Sequence, residues 1–74
     1  MVDSHEKYIL YELGFRIRKL RIDKNITQSQ VAYELKTSTR HYQRIENGEV
    51  NTSFLKLLKI ASIFEVPIEK IICK

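Results

Sequence analysis

Covalent and conformational punctuation is scarce in this chain. Cys73 is the single cysteine among 74 residues, so no intrachain disulfide can staple the fold. A lone terminal thiol reads as inert, and the cysteine usage fits a reducing cytoplasm. Two glycines and one proline argue against a turn-rich β-sandwich. Long apolar runs are missing too: none approaches the roughly 20 residues that cross a bilayer. The segment from Met1 to Glu6 is polar, unlike a secretory signal. No membrane partner is therefore expected. His5, His41 and Cys73 are scattered with no metal-ligand spacing. There is no glycine-rich phosphate loop, and no acid–base pair falls in a plausible pocket of so small a domain. The expectation is a protein with no metal, no cofactor and no catalytic activity.

What is present fits one folded domain spanning 1–74. Apolar content is ordinary and no low-complexity run occurs. A chain this short buries only about 60% of the surface its unfolded state exposes. Its stability margin is thin, and dimerisation is a natural supplement. Lysine and arginine number 13 against 9 acidic residues, a net charge of +4 that fits an anionic partner. The densest basic run is Arg16, Arg18, Lys19, Arg21 and Lys24, with Asp23 as its one acidic interruption. The bland reading of that run is a solvated helix face.

Apolar spacing is helical throughout. Asp3 with Glu6 makes a start signal for a first helix near Ser4. Leu10, Leu13, Ile17 and Leu20 then form a core-facing stripe. Tyr8, Tyr11, Phe15 and Ile22 form a second stripe whose role the sequence leaves open, between a partner contact and ordinary exposed aromatics. Gly14 suits close approach of a neighbouring helix. Asn25 tolerates left-handed backbone and ends the helix, with Ile26 packing back. Ser53 caps a fourth helix with Phe54, Leu57, Ile60, Ala61 and Phe64 at core spacing and Leu58 at the edge. Pro67 suits the first turn of a last helix carrying Ile68, Ile71 and Ile72. Five helices without a convincing strand predict an all-α domain.

The stretch Thr27–Gly48, TQSQVAYELKTSTRHYQRIENG, organises the rest. Thr27 and Gln30 form a capping box for a short helix with Val31, Ala32 and Leu35 on its apolar edge. Lys36-Thr37-Ser38 breaks the pattern, and Ser38 caps the next helix. At 100° per residue, Tyr42, Ile45 and Glu46 share one side of that helix; Arg40, Gln43, Arg44 and Asn47 share the other. Asn47-Gly48 stops it. An apolar anchor beneath arginine, glutamine and asparagine is what a helix reading the DNA major groove needs.

With the helices placed, the chain resembles the lambda-repressor-like, or Cro/cI-type, helix-turn-helix family. The resemblance runs from Leu13 to about Ile72 through LGFRIRKLR, ITQSQVAYEL, TSTRHYQRIENG and TSFLKLLKIASIFEVPIEKII, in that order and spacing. It implies a compact five-helix DNA-binding domain with the helix-turn-helix at 27–48. The chain departs from the family at three positions. Lys36 stands where glycine is usual in the turn, at a cost of roughly 1–2 kcal/mol if left-handed. Tyr42 replaces a smaller aliphatic, so its hydroxyl must reach water or a partner. Thr52 replaces the proline before the fourth helix.

The resemblance implies a transcriptional regulator that binds a palindromic operator of double-stranded DNA as a homodimer, with the recognition helix (about 38–47) in the major groove. Arg40 and Arg44 are the leading base readers, since a guanidinium can donate to both O6 and N7 of guanine. Thr39 and Gln43 are further base-reading candidates. Gln28 matches the family's backbone-binding glutamine, at a helix N-terminus suited to phosphate. His41, Asn47, Lys56 and Arg21 are further DNA-backbone candidates. In the family the arginine matching Arg21 pairs with the glutamate matching Glu46, which implies a salt bridge here. Phe64, Val66, Ile68, Ile71 and Ile72 are the candidate dimer contacts. Met1 and the five-helix count lead us to expect a stand-alone domain in a nucleoid-associated, cytoplasmic setting, regulated by occupancy or a protein partner. A restriction–modification controller is the leading subtype, beside phage-type repressors and antitoxins. The rival reading is a protein-interaction module on the same scaffold. Two arginines on the outward face favour DNA over that rival.

Overall fold

A 20-residue helix, α1 (Ser4–Asp23), is the longest element and the backbone of the domain. It is followed by α2 (Gln28–Leu35), α3 (Thr39–Glu46), α4 (Phe54–Phe64) and α5 (Glu69–Ile72). The computed structural model describes residues 4–73, and among them there are five helices and no strand. The Asp3 half of the expected start signal lies outside the described residues.

Local chemistry starts and stops these helices. Gln30 N–H donates to Thr27 Oγ1 (3.1 Å) and Thr27 N–H donates to Gln30 Oε1 (2.7 Å), a reciprocal capping box at α2. Ser38 caps α3 by accepting from His41 N–H at 3.0 Å, and Ser53 caps α4 by accepting from Lys56 N–H at 3.2 Å. The helix ends share one closing turn with a left-handed residue: Asn25, Lys36, Gly48 and Glu65, after α1, α2, α3 and α4. At each end the next N–H reaches back to the carbonyl five residues earlier, as Thr37 does to Ala32 at 3.0 Å. Lys36 therefore does adopt the left-handed conformation, with φ 59°.

The core gathers Ile17 of α1, Val31, Ala32 and Leu35 of α2, and Tyr42 and Ile45 of α3. Leu57, Ile60, Ala61 and Phe64 of α4, with Ile71 of α5, close it. Leu13, Leu20 and Ile26 pack at its edge. Four sequence expectations change. Leu10 is only half-buried and does not join this core. Phe54 is 58% exposed, because α4 meets the other helices only from its second turn on. Pro67 precedes the cap residue Ile68 rather than lying within α5. Tyr42 is fully buried, so its hydroxyl does not reach solvent; it lies beside the Arg21–Glu46 pair without a well-formed hydrogen bond among the described residues.

Gly14 sets how closely α1 and α3 approach. A Cβ there would lie against the Glu46 carbonyl oxygen and 2.7 Å from that of Ile45. Only a hydrogen fits, so α1 lies directly on the end of α3. Arg16 fastens the other side of α1 by donating from Nε to the Ile71 carbonyl.

Candidate nucleic-acid interface

Two opposite faces of α3 do two jobs. Tyr42, Ile45 and Glu46 point inward and are buried. Arg40, Gln43, Arg44 and Asn47 are exposed and line one shallow depression of about 490 Å³ together with Glu49. The helix is thus anchored by its apolar side and offers a continuous polar side to solvent. His41 and Lys56 do not line this depression. Thr39 is half-buried at the start of α3, its hydroxyl 3.5 Å from Ser29 Oγ of α2.

Beneath the exposed face runs a polar chain. Glu46, 5% exposed, is the buried charge of the core. Arg21 Nε donates to Glu46 Oε2 at 2.6 Å and its Nη2 donates to Oε1 at 3.3 Å. Arg21 Nη1 donates to the Ile26 carbonyl at 2.9 Å. A carboxylate out of water needs such partners, and a two-pronged guanidinium supplies them. The hydrogen bond to Glu46 is the main cause that raises the Arg21 pKa above its usual value, against the opposing effect of burial. The same pair borders Tyr42, whose phenol is pushed up first by burial and then by Glu46.

Glutamines extend the chain to the surface. Gln28 Nε2 donates to Glu46 Oε1 at 3.0 Å, and Gln43 Nε2 donates to Gln28 Oε1 at 3.1 Å. Gln43 is thereby joined to Gln28, so in this state its amide is turned toward α2. Gln28 and Arg21 keep N–H donors beyond these bonds, with the Tyr42 hydroxyl also beside the Arg21 guanidinium. These remaining donors are the chemistry that could meet a phosphate at the start of α2.

The candidate dimer residues divide. Phe64 and Ile71 are fully buried in the chain's own core and have no surface left for a partner. Val66 and Ile68 are half-buried, and Ile72 is 42% exposed beside Tyr8 and Ile9 of α1. Helical spacing cannot separate a core residue from an interface residue, because both are apolar.

Glu49 is the residue of this depression that helical periodicity did not reveal. It lies beyond the end of α3, yet its Oε1 is 3.6 Å from Arg44 Nε. The signal was the Asn-Gly stop, because a left-handed glycine folds the following residue back onto the last turn.

Comparison with known proteins agrees with this fold. A profile of the family described as Helix-turn-helix matches residues 17–71. Among solved structures, the restriction-modification controller protein C.AhdI from Aeromonas hydrophila superposes with a TM-score of 0.79 at 26% identity. The match covers 84% of this chain and 94% of that one. Comparison with curated protein sequences gave no significant match.

Proposed function

We propose that this chain, which belongs to the Cro/cI-type helix-turn-helix family of DNA-binding regulators, binds a palindromic operator as a homodimer. In this reading α3 enters the major groove. The observation that carries it is the outward face of α3, where Arg40 and Arg44 stand exposed over a buried Tyr42–Ile45 anchor. Each guanidinium can read a guanine through O6 and N7, contributing ~1–3 kcal/mol of discrimination. Thr39 and Gln43 assist at neighbouring bases, with Gln43 first releasing Gln28. Gln28, Arg21 and Asn47 supply backbone contacts that set register without reading sequence. Val66, Ile68 and Ile72 form the self-contact. Similarity to a restriction-modification controller supports that subtype over phage repressor or antitoxin.

Selection from random duplex DNA, followed by titration with single-base variants, tests the proposal. The expected result is a two-fold symmetric motif. Arg40→Ala and Arg44→Ala should each relax preference at a particular base pair. Equal affinity for every sequence would sink sequence-specific reading and favour a protein-interaction module. Sedimentation equilibrium tests the dimer: a monomer at high micromolar concentration would count against it.

A further inference from the structure

The end of α3 is built in a way that places a carboxylate beside a base-reading arginine. Gly48, at φ +72°, lets its own N–H donate to the Ile45 carbonyl (3.1 Å) and the Glu49 N–H donate to the Arg44 carbonyl (2.9 Å). This pair of bonds brings the side chains of residues 44 and 49 together, a place where helix ends often carry an apolar contact. Here the two positions carry opposite charges. Arg44 Nε is 3.6 Å from Glu49 Oε1, and Asn47 Nδ2 donates to Glu49 Oε2 at 3.1 Å. Both carboxylate oxygens are therefore engaged, one by each of two residues on the outward face.

We infer that Glu49 is a positioning residue for Arg44: it holds the Nε edge of the guanidinium and leaves the Nη1/Nη2 end to read guanine. The inference rests on the proposed DNA reading. A guanidinium has five N–H donors in a fixed planar fork, so occupying one edge orients the other. Free in solution both side chains are about half exposed, 51% and 52%, and such a pair adds little. Under DNA the water leaves, and the same contact strengthens as the local dielectric falls. Asn47 keeps the carboxylate from swinging away. Arg40 has no carboxylate partner among the described residues, so it serves as an internal control. Lys7 is the other cation lining the adjoining groove, with Tyr11 beside it.

A simpler role is possible for a carboxylate at a DNA-facing surface: it repels phosphates uniformly. The two roles predict opposite results. The base pairs read by Arg44 and Arg40 are first located with Arg44→Ala and Arg40→Ala on the selected operator. Wild type, Glu49→Ala and Glu49→Gln are then titrated against every single-base variant at those positions. Glu49→Ala should lower the preference for guanine at the Arg44 position by about 3- to 10-fold, part of what a good arginine–guanine pair contributes. Preference at the Arg40 position should stay unchanged. Glu49→Gln, which keeps the shape and a polar oxygen beside Nε but loses the charge, should retain part of the preference. Uniform tightening on all sequences, unchanged preference, or equal loss at both positions would overturn the inference while leaving the DNA reading intact. If wild type itself shows no sequence preference, the DNA reading fails and the inference falls with it.

Discussion

Tyr42 sits where its ring fills the core and its hydroxyl lies beside the Arg21–Glu46 pair without a well-formed hydrogen bond. A buried hydroxyl without a partner costs about 1–3 kcal/mol of desolvation. Phenylalanine keeps the ring and removes the orphan. Tyr42→Phe should therefore raise stability by ~1 kcal/mol, read as a higher denaturation midpoint with unchanged slope. The same residue makes a pH prediction. Its phenol is raised above the ordinary value of 10.0, mainly by burial. In the unfolded chain the phenol ionises as pH passes 10, while the folded chain keeps the proton. The unfolded state then binds fewer protons, so stability is complete below pH 10 and falls above it. Denaturation across pH 8 to about 11.5 should show that fall in wild type and a smaller one in Tyr42→Phe. Equal falls in both would show that Tyr42 does not titrate with folding. Glu46 is the opposite case, a buried polar group with its partners in place, and Glu46→Ala would strand Arg21 instead of relieving anything.

The helices are joined by turns whose left-handed residues differ in fitness. Asn25 and Gly48 are suited to positive φ; Lys36 and Glu65 are not. Lys36 carries that strain inside the turn that sets the α2–α3 angle. Lys36→Gly should relieve it and stabilise the domain by about 1 kcal/mol, less whatever is lost to added chain freedom in the unfolded state. A lower midpoint would mean that the lysine side chain holds the turn through contacts of its own. Gly14 is the element-scale counterpart. A methyl group there would meet the backbone of Glu46 and Ile45 rather than a flexible side chain. Gly14→Ala should cost about 1–3 kcal/mol or more, as overpacking does. It should also weaken DNA binding, because pushing α1 from the end of α3 disturbs the Arg21–Glu46 link. Wild-type affinity in a destabilised Gly14→Ala variant would argue that the link tolerates the shift.

Across the whole molecule, the basic run of α1 is spent in several ways. Arg16 ties α1 to α5, Lys19 lies 5.5 Å over the Phe15 ring, and Arg21 holds Glu46. Arg18 and Lys24 remain exposed. In the proposed DNA reading, phosphate contacts would draw on a small set of donors, and each phosphate neutralised adds about 0.9 to the slope of log affinity against log salt. A shallow salt slope is expected, and removing Gln28, which is uncharged, should weaken binding without changing it. The proposed two-fold dimer would place its recognition helices about 34 Å apart, one turn of DNA. Inserting about 5 base pairs between the operator halves should put them on opposite faces of the duplex and abolish cooperative binding. Retained affinity would show that one copy binds alone.

Much of the fold was legible because its signals are local. The Thr27–Gln30 box, the Ser38 and Ser53 caps, the Asn25 and Gly48 stops and the two faces of α3 depend only on neighbours within a turn or two. The Arg21–Glu46 link was legible only through the family resemblance, since 25 residues separate the partners. What the sequence determined by itself was the number, order and polarity of the helices. Tertiary structure alone decided which apolar residues are consumed by the core. Phe64 and Ile71 went inside and Phe54 stayed out, although all three have helical core spacing. It also decided that Gln43 is held by Gln28 and that Glu49 lies beside Arg44. The physical reason is that periodicity defines a helix face but not what that face meets. Burial and pairing are settled by how closely the helices approach, and here Gly14 and the turn at Gly48 set that approach.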